Sequence, residues 1–181
     1  MNPKYDSRIL VIGGGGSGKS TLARQLGALT GFPVLHLDYE FWQPGWVQRP
    51  PEEFAALQTD WLQQHERWII DGNYIGTMEP RFAAATLVIL LDLPRLLRLW
   101  RIHARRSKPR PDLRDDLKES FNKSWIENCS HVWNFRKRSL PAIFALREKY
   151  PDIAFVRLRS RREVARFLTT GYPNWQEEIC R

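Results

Sequence analysis

The segment that most constrains the fold is a glycine-rich loop that begins at Gly13 and ends at Ser20. Its sequence, Gly-Gly-Gly-Gly-Ser-Gly-Lys-Ser, matches the full pattern of a phosphate-binding P-loop. An apolar run at residues 8–12 precedes the loop and predicts a buried strand, and leucines at helical spacing follow it over residues 19–30. Glycines between such a strand and helix let successive N–H groups face an anion. The sequence therefore predicts a site for the phosphates of a nucleoside triphosphate, with ATP as the expected cofactor.

Each polar part of this loop is expected to have its own role. Lys19 should reach the β- and γ-phosphates, and the Ser20 hydroxyl should be a ligand of Mg2+. The N-terminus of the following helix adds partial positive charge. The predicted nucleotide-binding residues of this segment are Gly13, Gly14, Gly15, Gly16, Ser17, Gly18, Lys19, Ser20 and Thr21.

Apolar strands and amphipathic helices alternate along the rest of the chain. Strands are expected at residues 8–12, 33–37, 68–70, 86–91 and 153–158. Helices are expected at residues 19–30, 52–66, 94–106 and 161–169, and over much of 117–150. Several strands lack polar alternation, which is typical of a parallel sheet covered on both faces. The pattern predicts one α/β domain over residues 1–181, with a five-stranded parallel sheet between helices.

A basic, proline-containing segment follows the helix expected at residues 94–106. It predicts a mobile surface segment at 107–114 and a lid at approximately 107–135. Arg98, Arg101 and Arg105 are spaced three and four apart and so share one side of the preceding helix. Arginines brought in by a closing lid stabilise the charge of a transferred phosphoryl group. Arg101 and Arg105 are therefore candidate catalytic residues, with a solvated helix face as the alternative.

Aspartates follow several predicted strands, at the edge where ligands bind in parallel sheets. Asp71, which Gly72 follows, is the preferred carboxylate for the Mg2+ shell. Asp92 is the alternative, with helix capping as its structural role. Asp38 could accept the proton of an attacking hydroxyl, or could simply end a strand as a turn residue. Glu40 is a weaker candidate for the same base.

The composition is that of a soluble globular protein, with 43% hydrophobic and 27% charged residues. The net charge is +8, and basic residues cluster within 95–114, 136–138 and 157–162. Such clusters attract phosphate on a nucleotide or a nucleic acid, or form a solvated face. Cys129 and Cys180 have no metal-type spacing, and we recognise no targeting or membrane segment. We therefore expect a cytoplasmic protein without a membrane partner.

Residues 92–106 resemble the segment that leads into the lid of adenylate kinases. The resemblance implies that Asp71, in Trp-Ile-Ile-Asp-Gly, serves the Mg2+ shell, and that the strand order is 2-3-1-4-5. It also implies ATP contacts from Arg101 and Arg105 at the phosphates, and it places Arg159, Ser160 and Arg161 at the adenine.

Nearly the whole chain is similar to small bacterial proteins labelled DNA topology modulation protein. The shared motifs are His36-Leu37-Asp38 with Trp42 and Trp46, Asp71-Gly72-Asn73-Tyr74 with Arg81, and the ending at residues 158–164. That label reflects an effect on DNA topology and does not establish an enzymatic reaction.

The phosphoryl acceptor is expected beside these motifs. The features that hold AMP in adenylate kinases are not found here, and Asp38-Tyr-Glu-Phe-Trp42 resembles uridine kinase-type enzymes, which phosphorylate a hydroxyl. We therefore predict a small ATP-dependent phosphotransferase whose acceptor is a nucleoside, a nucleotide or another hydroxyl compound. Its acceptor-site candidates are Asp38, Trp42, Asn73 and Arg81. Two alternatives stay open: an ATP-binding, DNA-associated regulator without kinase activity, and a polynucleotide 5′-hydroxyl kinase.

Overall fold

Five parallel strands form the central sheet of the computed structural model, which describes residues 7–105, 112–114, 117 and 123–171. These strands are β1 (Arg8–Gly13), β2 (Val34–His36), β5 (Trp68–Asp71), β6 (Leu87–Leu91) and β7 (Ala154–Leu158). Two short strands, β3 (Trp42–Gln43) and β4 (Val47–Gln48), form a separate antiparallel hairpin. The predicted fold class, a parallel five-stranded sheet between helices, is confirmed.

The strands lie across the sheet in the order β2-β5-β1-β6-β7. This numbering differs from the expected 2-3-1-4-5 because the hairpin, which the sequence did not reveal, is counted between the second and third strands of the sheet. The five segments predicted as strands are the five strands of the sheet. The strand before the P-loop, β1, pairs with β5 on one side and with β6 on the other.

Helices connect these strands and cover the sheet. In the described residues they are α1 (Lys19–Thr30), α2 (Leu37–Phe41), α3 (Pro51–Gln64), α4 (Met78–Ala84), α5 (Arg95–Arg105), α6 (Lys123–Arg138), α7 (Leu140–Lys149) and α8 (Arg161–Thr170). Short 3-10 turns lie at Pro44–Trp46 and Ile75–Thr77. The short helices α2 and α4 were not predicted, because five and seven residues carry too little periodicity.

The two faces of the sheet are buried in separate apolar layers. Successive side chains of a strand point to opposite faces, so Leu10 and Ile12 of β1 belong to one layer and Ile9 and Val11 to the other. Leu22 of α1 packs in the second layer. This arrangement fixes β1 in the middle of the core and holds its carboxyl end, where the P-loop begins, at the sheet edge.

The end of the segment predicted as a lid packs into the molecule. Phe135 of α6 is buried in the first apolar layer, and Val132 is also buried. Residues 107–111 of the predicted mobile segment lie outside the described residues, whereas Asp112 and Leu113 are buried, with 6% and 3% of their surface exposed. No helix within the described ranges is both long and apolar enough to cross a membrane.

Candidate nucleotide and acceptor site

The P-loop joins β1 to α1 at the carboxyl edge of the sheet. Gly16 and Gly18 have φ angles of 73° and 95°, a left-handed conformation that favours glycine. The N–H of Ser17 donates to the carbonyl of Gly14 across the turn, at 3.1 Å. Lys19 begins α1 and is half-buried. The loop therefore has the strand–turn–helix context that a phosphate-binding loop requires.

Helix α5 packs directly on this loop. A Cβ atom at Gly14 would overlap the guanidinium of Arg98, and one at Gly16 would overlap the Arg98 carbonyl. The Arg98 side chain is buried, and its Nε donates to the carbonyl of Leu93 at 3.1 Å. The guanidinium carbon of Arg98 lies 5.3 Å from the ring centroid of Phe135. Burial lowers the pKa of Arg98. Glycine is thus required at these two positions for the close approach of α5.

Arg101 also contacts the P-loop. Its Nη1 donates to the carbonyl of Ser17 at 3.0 Å and to that of Gly16 at 3.4 Å. Partial burial lowers its pKa, and the charge of Arg161 lowers it further. The predicted pair Arg101 and Arg105 both line the cleft beside the loop. The helical spacing therefore located two basic side chains that an anionic ligand in this cleft would meet.

The cleft has a volume of about 410 Å³ and lies between the P-loop, α1, α5 and α8. Trp100, with 62% of its surface exposed, lines it together with Thr21 and Val164. Such a mixed wall suits a nucleotide base, because an aromatic face can stack on a base. Trp100 and Val164 were not predicted as site residues, since their positions depend on how α5 and α8 pack.

Arg159 and Ser160, predicted at the adenine, have a local structural role. The Ser160 hydroxyl accepts from the N–H of Glu163 at 3.1 Å, and the Glu163 carboxylate accepts from the N–H of Arg159 at 2.8 Å. These hydrogen bonds cap the N-terminus of α8, with Ser160 as its N-cap residue. Among the described residues, Arg161 and Val164 are the side chains of this helix that line the cleft, and Arg161 belongs to the segment expected at the adenine.

Asp71 is the carboxylate that best fits a metal. It ends β5, where its register partner on the P-loop strand is Val11. Its Oδ2 lies 3.0 Å from Nδ1 of His36, while Oδ1 is buried and has no hydrogen-bond partner among the described residues. A buried, unpaired carboxylate oxygen near a P-loop fits the hydrated Mg2+ that this class of loop uses.

Asp92, the alternative carboxylate, is occupied by two arginines. Its Oδ1 accepts from Nε of Arg136 at 3.0 Å, and its Oδ2 accepts from Nε of Arg157 at 3.1 Å. The Asp92 side chain is 1% exposed. These ion pairs give Asp92 a structural role that differs from the predicted helix cap.

Ser20 is held by a residue that the sequence did not single out. Its hydroxyl donates to Oδ2 of Asp112 at 2.8 Å. The two residues are 92 positions apart in sequence, so only the fold brings them together.

Arg81 is placed differently from its predicted contact with an acceptor phosphate. It is fully buried, and its guanidinium donates to the carbonyls of Gly72 at 3.1 Å, Asn73 at 2.8 Å and Tyr74 at 3.1 Å. Burial lowers its pKa to about 9. Its Nε is also hydrogen-bonded, to the carbonyl of Thr77. These bonds use the side chain to shape the loop after β5.

The loop that Arg81 shapes connects the P-loop to Asp38. The amide of Asn73 bonds both backbone groups of Gly13, accepting at 2.9 Å and donating at 2.8 Å. The next residue, Tyr74, has an unusual φ of 39° and donates its hydroxyl to Oδ1 of Asp38 at 2.9 Å. Asn73 is thus bound to the P-loop backbone, whereas it was predicted as a substrate contact.

Tyr74, which binds Asp38, belongs to a cluster of aromatic rings. Phe41 packs edge-on against Trp42 at 5.0 Å between centroids, and Trp42 against Trp46 at 5.3 Å. Tyr74 contacts Phe41 at 4.7 Å. Trp42 is half-buried and Trp46 is exposed. This aromatic cluster is linked to Asp38 through Tyr74.

The fold is similar to that of two solved shikimate kinases. The chain is similar to the shikimate kinase from Acinetobacter baumannii in complex with shikimate, with a TM-score of 0.56 and 20% identity, over 96% of this chain and 93% of that one. It is also similar to the shikimate kinase from Bacteroides thetaiotaomicron, with a TM-score of 0.51 and 18% identity, over 96% and 98%. No family model and no curated protein matches the sequence, so the resemblance to the topology modulation proteins gains no support there.

Proposed function

We propose that this protein is an ATP-dependent phosphotransferase that transfers the γ-phosphoryl group to a hydroxyl group of a small acceptor. The observation that carries the proposal is that one loop, residues 72–74, joins a complete P-loop to Asp38. Asn73 bonds Gly13 and Tyr74 bonds Asp38, and these contacts support the proposal that the P-loop and Asp38 act together at one edge of the sheet.

The reaction follows from this arrangement. The acceptor hydroxyl oxygen attacks the γ-phosphorus, the bond from that phosphorus to the β,γ-bridging oxygen breaks, and ADP leaves. Asp38 accepts the hydroxyl proton. Lys19 and the loop N–H groups hold the β- and γ-phosphates, and Arg101 and Arg105 stabilise their charge. A bound Mg2+, held through Ser20 and Asp71, would supply charge neutralisation at the β- and γ-oxygens.

The two halves of the site favour different parts of the substrates. Trp100 and Val164 line the cleft at the β6–β7 side, which suits the base of ATP. Trp42 and Trp46 lie at the β2 side with Asp38, which suits a ring-bearing acceptor. Because Arg81 is buried beneath the loop, the residue assigned to an acceptor phosphate is occupied. A hydroxyl compound without a phosphate, such as a nucleoside, therefore fits this site better than a nucleotide.

The nucleic-acid hypotheses lose much of their basis. Several arginines of the basic clusters make internal contacts: Arg98 is buried against the P-loop, Arg101 bonds its carbonyls, and Arg136 and Arg157 bind Asp92. No observation of the described site favours a regulator or a polynucleotide 5′-hydroxyl kinase over a small-molecule kinase.

The test is ADP release from Mg-ATP with a panel of acceptors. The panel contains nucleosides, nucleoside monophosphates, sugars, shikimate and 5′-hydroxyl oligonucleotides, and Lys19→Ala is the blank. Stimulation by a small hydroxyl compound would support the proposal and give the acceptor class. Stimulation by oligonucleotides alone would support the polynucleotide alternative, and tight ATP binding without any stimulation would favour the regulator.

A further inference from the structure

Asp112 is buried at the P-loop although it comes from the segment predicted to be a mobile surface. It is 6% exposed, and the next residue, Leu113, is 3% exposed. The guanidinium of Arg114 lies 5.4 Å from the ring centroid of Tyr39, which neighbours Asp38. Residues 112–114 therefore rest between the nucleotide side of the site and the acceptor side.

In the hydrogen bond between Ser20 and Asp112, the serine hydroxyl is the donor and the carboxylate is the acceptor. A serine hydroxyl has one proton to donate and two lone pairs to offer. Here the hydroxyl donates its hydrogen bond to Oδ2 of Asp112 at 2.8 Å, which leaves the lone pairs of the Ser20 oxygen for a cation. The carboxylate also adds negative charge beside this hydroxyl, as hard divalent cations prefer.

We propose that Asp112 is part of the Mg2+ site. It accepts a hydrogen bond from the Ser20 hydroxyl, so that the lone pairs of the serine oxygen face the metal. Its carboxylate also binds the water shell of the metal. The inference rests on the proposed function, because the ion arrives with the nucleotide. Asp112 then has the orienting role that partners of metal ligands commonly have. Asp71, whose Oδ1 has no hydrogen-bond partner in the described part of the chain, supplies a carboxylate from β5.

The test measures binding of Mn2+, as a substitute for Mg2+, to the complex of the full chain with ADP by electron paramagnetic resonance. Asp112→Asn keeps the shape and an acceptor for Ser20 but removes the charge. We expect its dissociation constant for Mn2+ to rise by about 10- to 100-fold, the usual effect of losing a partner of a metal ligand. ADP binding in EDTA should be unchanged or tighter, because a negative charge has left the phosphate site.

Three control variants complete the experiment. Asp60→Asn removes the same charge from the exposed face of α3 and should leave Mn2+ binding unchanged. Asp112→Glu keeps the carboxylate and should lose less affinity than Asp112→Asn. Ser20→Ala combined with Asp112→Asn should lose less than the sum of the two single losses, because the residues act as one unit.

The outcomes separate this inference from the proposed function. Unchanged Mn2+ affinity in folded Asp112→Asn would overturn the inference and leave the kinase proposal standing. Tighter Mn2+ binding would also overturn it, since Asp112 would then compete with the metal for Ser20. Absence of ADP binding by the native chain, with or without Mn2+, would overturn both.

Discussion

The hydroxyl of Tyr74 donates a hydrogen bond of 2.9 Å to Oδ1 of Asp38. Tyr74 adopts a φ of 39°, which few residues other than glycine tolerate, and Arg81 holds its carbonyl. Backbone strain of this kind persists where surrounding contacts enforce it and is frequent at functional sites. The bond orients the carboxylate that we propose as the base.

Tyr74→Phe should therefore lower kcat by about tenfold, the value of one hydrogen bond to a charged group. The affinity for ATP should not change, because the P-loop keeps its contact with Asn73. Steady-state kinetics and nucleotide titration measure the two effects. A loss of ATP affinity as large as the loss in kcat would show that the hydroxyl supports the whole site and not Asp38 alone.

Removal of Arg81 should destabilise the protein more than it changes any chemistry. Arg81→Met leaves the carbonyls of Gly72, Asn73 and Tyr74 without their donor, and we expect a loss of about 3–5 kcal/mol in the free energy of unfolding. Urea unfolding measures it. Arg138→Met, an exposed arginine on α6, is the control and should change stability by about 0.5 kcal/mol or less. Equal stability of the two variants would contradict the buried role.

Gly14→Ala should impair both folding and nucleotide binding. The new methyl group would overlap the guanidinium of Arg98, which is stacked on Phe135. We expect a loss of about 1–3 kcal/mol in stability, as for other overpacked positions. Gly76→Ala meets open space and should cost far less. Adding Arg98→Ala should recover part of the loss, and a simple sum of the two effects would argue against the clash.

Substitutions of the two candidate Mg2+ carboxylates, Asp71 and Asp92, should have different effects. Asp71→Asn should weaken the Mg2+ dependence of nucleotide binding, because it changes the carboxylate whose Oδ1 has no hydrogen-bond partner among the described residues. Asp92→Asn should lower the free energy of unfolding by about 1–3 kcal/mol, because Arg136 and Arg157 lose the negative charge with which they pair. The loss stays moderate because both arginine side chains are partly exposed to solvent. Calorimetric titration with ADP, with and without Mg2+, tests both. A change in Mg2+ dependence for Asp92→Asn alone would reverse the assignment.

The parts of the fold that the sequence predicted are those with local signals. The P-loop and the five sheet strands have strong patterns of glycine and apolar residues, and helix α1 is predicted with its observed bounds. The hairpin β3–β4 was missed because strands of two residues leave no alternation to detect.

The site residues that were missed or misplaced depend on tertiary packing. Nothing local distinguishes an arginine that binds a phosphate from one such as Arg81 that is buried against backbone carbonyls. Asp112 reaches Ser20 across 92 positions, and Trp100 lines the cleft only because α5 packs on the P-loop. Asp38 and Asp71 were predicted at one edge of the sheet because the carboxyl ends of parallel strands meet there, and their roles stay predictions.

The most direct test of the central claim is transfer of labelled phosphoryl from [γ-32P]ATP to the acceptor that stimulates ADP release. Native protein and Asp38→Asn are compared, with Lys19→Ala as the blank. We predict that Asp38→Asn binds Mg-ATP as the native chain does but transfers the label about 10²- to 10⁴-fold more slowly, the usual contribution of a general base. Undiminished transfer by Asp38→Asn would contradict the mechanism proposed for this site.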